Sequence, residues 1–411
     1  MIKPSRVVMI RIGIIGKTNT GKTTFFNAAT LLSAEVSTYP FTTKQPNTGT
    51  SYVRTICVCK ELNVKDDPRN SACIDGWRFI PVELIDLPGL IKGSWAGKGL
   101  GNQFLSVASQ ADALIHVADA SGSIDAEGRL TRPGMGNPIM DIYDIEEEIA
   151  LWFAKSISKS LKRIAKRVES GTPVKESVYR SIAGLKVKPE HVEQAIEKSG
   201  LEEKNVKKWS EKDLRLFAQE IRRLSKPTVI IANKMDVAKA SENYERLTEE
   251  FRGSFVVPAC SEAELALRRA EEKGYIRYVP GEEKFQMVDE GKLTKEQKWA
   301  LNYVQERVLT RWVNTGVQFA INMCVFKLLG MNAVYPVEDA KRLSDHSGRV
   351  LPDVFLIPFS ANVRDLAREI HTELAKTMLY AVDARTGLRL PTDYVLKDRD
   401  VINIVAAARK K

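Results

Sequence analysis

Long apolar runs are missing from this 411-residue chain. A membrane-spanning helix needs about 18 or more uncharged apolar residues. The richest stretch here, Val317 to Phe326, is stopped by Lys327, so no membrane partner is expected. The N-terminal stretch up to Gly16 has charges inside its apolar run and no small-residue cleavage site. It reads as a strand, not a secretion signal. Cysteines are few, five in all. An odd, small number in a long chain argues against a disulfide scaffold and for a reducing, cytoplasmic compartment. Acidic residues are in deficit, 52 against 62 Lys plus Arg, leaving a formal charge of +10. That favours an anionic partner and says nothing about fold. The 44% apolar and 28% charged residues exclude a disordered or collagen-like chain. The length suits two or three domains of about 100–200 residues.

What is present begins with Val7 to Ile15, a β-rich run. Gly16-Lys17-Thr18-Asn19-Thr20-Gly21-Lys22-Thr23 follows, and then the helix-like Thr24-Phe25-Phe26-Asn27-Ala28-Ala29. This is strand–GxxxxGK[ST]–helix, the P-loop. Its glycines let backbone N–H groups curl round phosphates, and the helix N-terminus adds partial positive charge. Lys22 can reach the β and γ phosphates, and the Thr23 hydroxyl can ligate Mg²⁺. Val82 to Asp86 is an apolar strand ending in Asp86-Leu87-Pro88-Gly89, or DxxG. It should place Asp86 near the metal, through water, and the Gly89 N–H near the γ phosphate. Thr228 to Ala232 is a strand ending in Asn233-Lys234-Met235-Asp236, or NKxD. An Asp there can accept from the N1–H and 2-amino groups of guanine, a pair adenine does not offer. Three such turns in this order, each at a strand end, signal a GTPase domain with its ligand at the carboxyl ends of parallel strands. GTP or GDP is thus the expected ligand.

On these residues the chain resembles the Obg-like GTPases, and among them the YchF type. Tyr39-Pro40-Phe41-Thr42-Thr43 with Pro46-Asn47 is similar to the family's switch I, with Thr43 at the position that senses γ phosphate and Mg²⁺. Asp86 to Gly93, followed by Gly97 to Leu105, resembles the glycine-rich switch II. Gly93 to Gly101 is expected to order only with γ phosphate. The tail from about Ala333 resembles a TGS domain, which implies a ribosomal or RNA partner. A folded accessory module contacting protein is the alternative. The chain departs from YchF proteins at the base loop. They typically carry NxxE and prefer ATP, whereas NKMD favours GTP. An ATPase is the alternative that the resemblance leaves open.

Ras-like enzymes orient the attacking water with a Gln directly after DxxG. Here that position is Leu90. Either the switch is slow or inactive, or other groups orient the water, as in GTPases with an apolar residue at this position. Asn19 is either a plain turn residue or, as in similar GTPases, a ligand for K⁺ beside the phosphates. The expected activity is weak GTP hydrolysis stimulated by K⁺. The competing reading is a nucleotide-gated RNA- or protein-binding scaffold with negligible hydrolysis.

The fold class expected is α/β: a P-loop, doubly wound GTPase domain with helical insertions, plus a small α+β β-grasp (TGS) domain. The G domain takes 1–120 and 226–330, with a basic helical insertion at 121–225. A second, mostly helical insertion takes 262–314, and the TGS domain takes 331–411. Cys260-Ser261-Glu262 should form the second base-side loop, with Cys260 and Ser261 touching the base. The last G-domain helix should open at Thr315-Gly316-Val317. Asp141 to Val168 reads as one long helix, and so does Val363 to Met378. Between Leu151 and Lys226 lie 19 Lys plus Arg and 10 Asp plus Glu, which is nearly the whole charge excess. Much of it falls on one face of the Asp141–Val168 pattern: Lys155, Lys159, Lys162, Arg163, Lys166 and Arg167. That face is either the RNA contact or simply solvated.

Cys57 and Cys59, with Cys73 fourteen residues on, raise the question of zinc. A structural zinc site wants four ligands. No fourth Cys or His is near in sequence, and the pair falls in a strand pattern. Core thiols are therefore expected. His116, His346 and His371 lack catalytic partners in the sequence pattern.

Overall fold

The computed structural model describes residues 9–31, 46–89, 93 and 107–407. The expected switch I residues Tyr39 to Thr43 lie outside them. So do Leu90 and all of the glycine-rich segment except Gly93. The first seven strands in chain order are β1 (Arg11–Ile15), β2 (Asn47–Ile56), β3 (Ala72–Ile74), β4 (Trp77–Asp86), β5 (Ala113–Asp119), β6 (Thr228–Asn233) and β7 (Phe255–Pro258). The chain divides into two compact units. One holds the described residues of 11–49 and 84–320. The other is built on residues 50–83 and those from 321 onward.

In the first unit β1, β5, β6 and β7 lie side by side in that order and run parallel. The end of the β4 run lies beyond β1, where the Leu87 N–H donates to the Ile14 carbonyl at 3.3 Å. β5 is buried along its whole length, as strands covered on both faces are. The carboxyl ends of β1, β4, β5 and β6 lead directly into the loops at Gly16, Leu87, Ala120 and Lys234.

The expected long helix is two helices, Pro138–Ser158 and Leu161–Glu169. The chain breaks at Lys159-Ser160, yet Ile157 before the break and Ile164 after it are both buried in one core. The apolar spacing therefore carries through the break and hides it. That core also contains Ile15, Ile85 and Leu114 of the sheet region and Trp209, Phe217 and Ile221 further on. The 121–225 segment thus shares the sheet's core and has no separate one. Helix Pro189–Lys198 begins with its proline in the first turn, where the missing N–H costs nothing. Helix Glu211–Ser225 starts at Ser210, whose Oγ accepts from the Asp213 N–H (3.3 Å) while the Asp213 carboxylate accepts from the Ser210 N–H (2.7 Å). This is a capping box.

In the second unit β2 and β3 both flank β4. The C-terminal sheet has the order Phe355–Pro358, Met331–Val337, Val401–Ala406, Met378–Asp383, Arg389–Leu390. Met331–Val337 and Val401–Ala406 run parallel, and the other three pairings are antiparallel. Val334, Ile357 and Ile402 pack with Leu366 of the helix, as a β-grasp requires. The expected single helix is broken here too, into Val363–Ile370 and Thr372–Thr377. His371 is extended (φ −167°, ψ 134°), and its Nδ1 accepts the Glu373 N–H at 3.1 Å. It is a helix cap.

Candidate functional site

Backbone conformation comes first in the phosphate loop. Gly16 has φ 144°, and a Cβ there would lie 2.3 Å from the Val117 carbonyl oxygen. Gly21, at φ 97°, caps helix Lys22–Thr30; a Cβ there would lie 2.3 Å from Asn233 Nδ2. Neither position accepts a side chain without displacing β5 or the base loop. Asn19 is also left-handed (φ 66°), and its Nδ2 donates to the Gly128 carbonyl at 2.9 Å. A turn residue is one of its two readings, and this geometry fits it. Thr20 Oγ1 closes the loop onto the Lys17 carbonyl at 3.0 Å, and Thr24 lines the neighbouring pocket.

Lys22 is buried, and its Nζ donates to the Lys17 carbonyl at 2.6 Å. Burial lowers its pKa to about 8, with Asp86 pulling the other way. Thr23 Oγ1 donates to Asp86 Oδ2 at 2.8 Å. Burial raises the Asp86 carboxyl, against the opposing pull of Lys22 and Thr23. Asp86 Oδ1 is buried with no hydrogen-bond partner among the described residues. Gly89 packs on the phosphate loop itself, where an added Cβ would fall 2.6 Å from Thr18 Oγ1. Lys22, Thr23, Asp86 and Gly89 therefore converge on one place, as their spacing suggests. Thr43 lies outside the described residues.

The base loop is tied to the phosphate loop through Asn233. Its Nδ2 donates to the Thr20 carbonyl (2.9 Å), and its Oδ1 accepts from the Ser261 N–H (3.1 Å) and Oγ (3.0 Å). A pocket of about 250 Å³ opens here, lined by Gly21, Asn233, Lys234, Asp236, Cys260 and Ser261 among others. Asp236 Oδ1 accepts from Cys260 Sγ at 3.1 Å. Cys260-Ser261 is not a free loop. Cys260 caps helix Ser261–Glu272, and Ser261 is its first residue. The Cys260 N–H reaches the Thr315 carbonyl at 2.9 Å, and Gly316 packs directly on Pro258 and Ala259. Thr315-Gly316 thus returns to the end of β7 after the intervening segment.

Two ion pairs in this region escaped the motif reading. Lys17 Nζ donates to Asp141 Oδ1 at 2.7 Å in a buried pair that joins the phosphate loop to the first turn of helix Pro138–Ser158. Asp119, at the end of β5, accepts from Lys234 Nζ (2.9 Å), Ser121 and Ser123. Its position at the end of a buried parallel strand was the available signal.

Family models match most of this architecture. Residues 11–144 match the 50S ribosome-binding GTPase model, and 231–339 match the Obg-like GTPase YGR210-like, G4 motif-containing domain. Residues 347–406 match the TGS domain. A ribosome-binding ATPase YchF of Haemophilus ducreyi is 30% identical, over 64% of this chain and 69% of that one. A crystal structure of a GTP-binding protein from Pyrococcus horikoshii is 37% identical, with a TM-score of 0.77, covering 97% of this chain and 100% of the other. The Schizosaccharomyces pombe YchF GTPase, at 17% identity and a TM-score of 0.56, shares the fold. An uncharacterised GTP-binding protein of Methanocaldococcus jannaschii is 43% identical, over 98% of this chain and 100% of that one. A likeness running from end to end at that identity leaves one assignment: the chain belongs to the Obg-like GTPases, as a YchF-type GTP-binding protein with a C-terminal TGS domain.

Proposed function

We propose that this protein binds GTP in preference to ATP and hydrolyses it slowly to GDP and phosphate. Its nucleotide state then controls binding to ribosomal particles or RNA. The observation that carries the guanine preference is Asp236, a carboxylate on the pocket that Asn233 holds against the phosphate loop. There it can accept from the guanine N1–H and 2-amino groups together, a charge-assisted pair. The bacterial YchF relative is named an ATPase, so the guanine preference is proposed on the chain's own NKMD loop.

Phosphates would draw Lys22 away from the Lys17 carbonyl and take the loop N–H groups and the Gly89 N–H in its place. The donor set fits a divalent cation, because Asp86 Oδ1 is buried beside the Thr23 hydroxyl with no partner among the described residues. Thr23, Thr43 and, through water, Asp86 would hold Mg²⁺, which when bound neutralises charge on the phosphates. K⁺ near Asn19 is the proposed source of further charge compensation, since Leu90 offers no group to orient water. The partner surface is the basic face near Lys159, Lys162 and Lys166, all exposed, together with the TGS domain. The relatives named ribosome-binding support this.

Nucleotide competition and turnover test the reading. GTP should displace a bound fluorescent guanine nucleotide far better than ATP. Turnover should rise with ribosomal subunits and be faster in K⁺ than in Na⁺. An ATP preference overturns the base assignment, and equal rates in the two salts overturn the K⁺ assignment. Turnover that stays negligible with subunits present would leave the gated-scaffold reading, which Leu90 favours.

A further inference from the structure

The cysteines set aside on sequence grounds meet in space, and they meet a fourth donor. β2 ends at Ile56, so Cys57 and Cys59 do not share a strand face. Cys57 caps the short helix Val58–Glu61, and Cys59 lies within it. The β3–β4 hairpin turns at Asp75-Gly76, both with positive φ (52° and 79°). That is the two-residue turn that brings hairpin strands back in register. It returns Cys73 to the same place, directly opposite Arg78. The intervening loop adds Asp66. The three Sγ atoms and one Asp66 carboxylate oxygen all lie within 4.8 Å of one another.

The individual distances suit a tetrahedron. With Zn–S bonds of about 2.3 Å, neighbouring sulfurs in tetrahedral coordination stand about 3.8 Å apart. Cys59 Sγ and Cys73 Sγ are 3.8 Å apart, and Cys57 Sγ is 3.3 Å from Asp66 Oδ2. All three thiols are free. Arg78 completes the surroundings. It is fully buried, with Nη1 donating to Asp66 Oδ2 at 3.2 Å and Nη2 donating to the Leu351 carbonyl. Three thiolates and a carboxylate around a divalent ion leave a net charge of −2, and a buried guanidinium on the carboxylate offsets part of it. A charged group bonded to a ligand in this way fixes the ligand's orientation.

We propose that Cys57, Cys59, Asp66 and Cys73 form a structural zinc site, with Arg78 as the residue that positions Asp66. The four ligands close the coordination sphere, so the site is structural and not catalytic. It would fix the loop that follows it. In that loop the Asp67 N–H donates to the Val350 carbonyl (2.8 Å), the Arg69 N–H donates to the Pro352 carbonyl (2.7 Å), and Asn70 pairs with Val354. Zinc would therefore fasten residues 57–73 in the conformation that holds the 350–354 segment.

The test uses the full chain, purified without a metal-binding tag and without chelator. Elemental analysis should find one equivalent of zinc per chain, falling at least tenfold in Cys73→Ser and Cys57→Ser. Replacing zinc with Co²⁺ should give the sulfur-to-cobalt charge-transfer absorption and the strong visible bands of a tetrahedral thiolate site. Asp66→Ala guards against a cysteine variant that fails to fold. It should still give a cobalt–thiolate spectrum, shifted by exchange of the oxygen ligand for water. Three results overturn the proposal: wild-type chain free of zinc and giving no cobalt–thiolate band, zinc content equal in wild type and Cys73→Ser, or a Cys59–Cys73 disulfide in the chain as isolated.

Discussion

In the proposed reading, Lys22 and Asp236 would divide the recognition of one ligand between two kinds of charge. Lys22 starts with its pKa lowered to about 8 by burial, and bound phosphates favour its charged form and raise it. Below pH 8 the amine is already charged, so nucleotide affinity should be flat. As pH rises above 8, binding must take up a proton, and affinity should fall by up to about tenfold per pH unit. Titration calorimetry between pH 7 and 9.5 measures this, and Lys22→Met should bind weakly with no such slope. At Asp236 the Asn substitution removes the charge that guanine's two donors require. GTP affinity should drop about ten- to a hundredfold and xanthosine triphosphate should gain, because hydrogen bonds to charged groups contribute about 1.5–3 kcal/mol. Equal GTP affinity in Asp236→Asn would remove this residue from base recognition. Both residues were legible from spacing alone, since the motif specifies residue type and position together. Lys17–Asp141 and Lys234–Asp119 were not legible. Each pairs residues more than a hundred positions apart; the place of Asp119 at the end of a buried strand is a local sign, but it does not name the partner.

At the scale of helices, the basic face is smaller than its sequence pattern. Arg167 donates to the Ser177 carbonyl (3.5 Å) and to Ser181 Oγ (3.2 Å) of the next helix, and Arg163 reaches Ser160. Arg163 is still exposed, and with it the three lysines Lys159, Lys162 and Lys166, spread over the break at Lys159-Ser160. Reversing these three to Glu should weaken RNA or ribosome association at least tenfold and reduce its salt dependence, since each phosphate contact releases counterions. GTP affinity should be unchanged. Filter binding across a salt series separates this from a merely solvated face, for which the triple variant would behave as wild type. Both helix breaks were illegible for the same reason. Apolar residues packed on one core on either side, Ile157 and Ile164 at the first break and Leu366 and the partly buried Leu374 at the second, keep the helical spacing, so periodicity reports the core and not the continuity of the backbone. Strand ends fared better, because the phosphate and base motifs mark them. The zinc proposal shows the converse limit, for a search confined to Cys and His passes over a carboxylate ligand.

At the scale of the whole molecule, the two compact units do not follow the order of the chain. Residues 50–83 belong with those from 321 onward, although both ends of the segment run into the nucleotide-binding unit. Arg78 and Tyr335 are both fully buried, with the guanidinium carbon 5.3 Å from the ring centroid. A chain ending at residue 330 would leave Arg78 without the Leu351 carbonyl and expose the surface that Tyr335 covers. Arg78 would keep Asp66, but a donor left without its partner costs about 1–3 kcal/mol, and the apolar surface laid bare adds to that. Such a chain should aggregate or unfold at a markedly lower temperature, by calorimetry or light scattering. A melting temperature within about 2 °C of the full chain would contradict this reading.

The short turn at Asp75-Gly76 has a consequence for inheritance. A recombination that exchanged only the C-terminal tail between two such proteins would separate it from the hairpin it folds with. The hairpin and the tail must therefore change together, although some 240 residues of intervening chain lie between them.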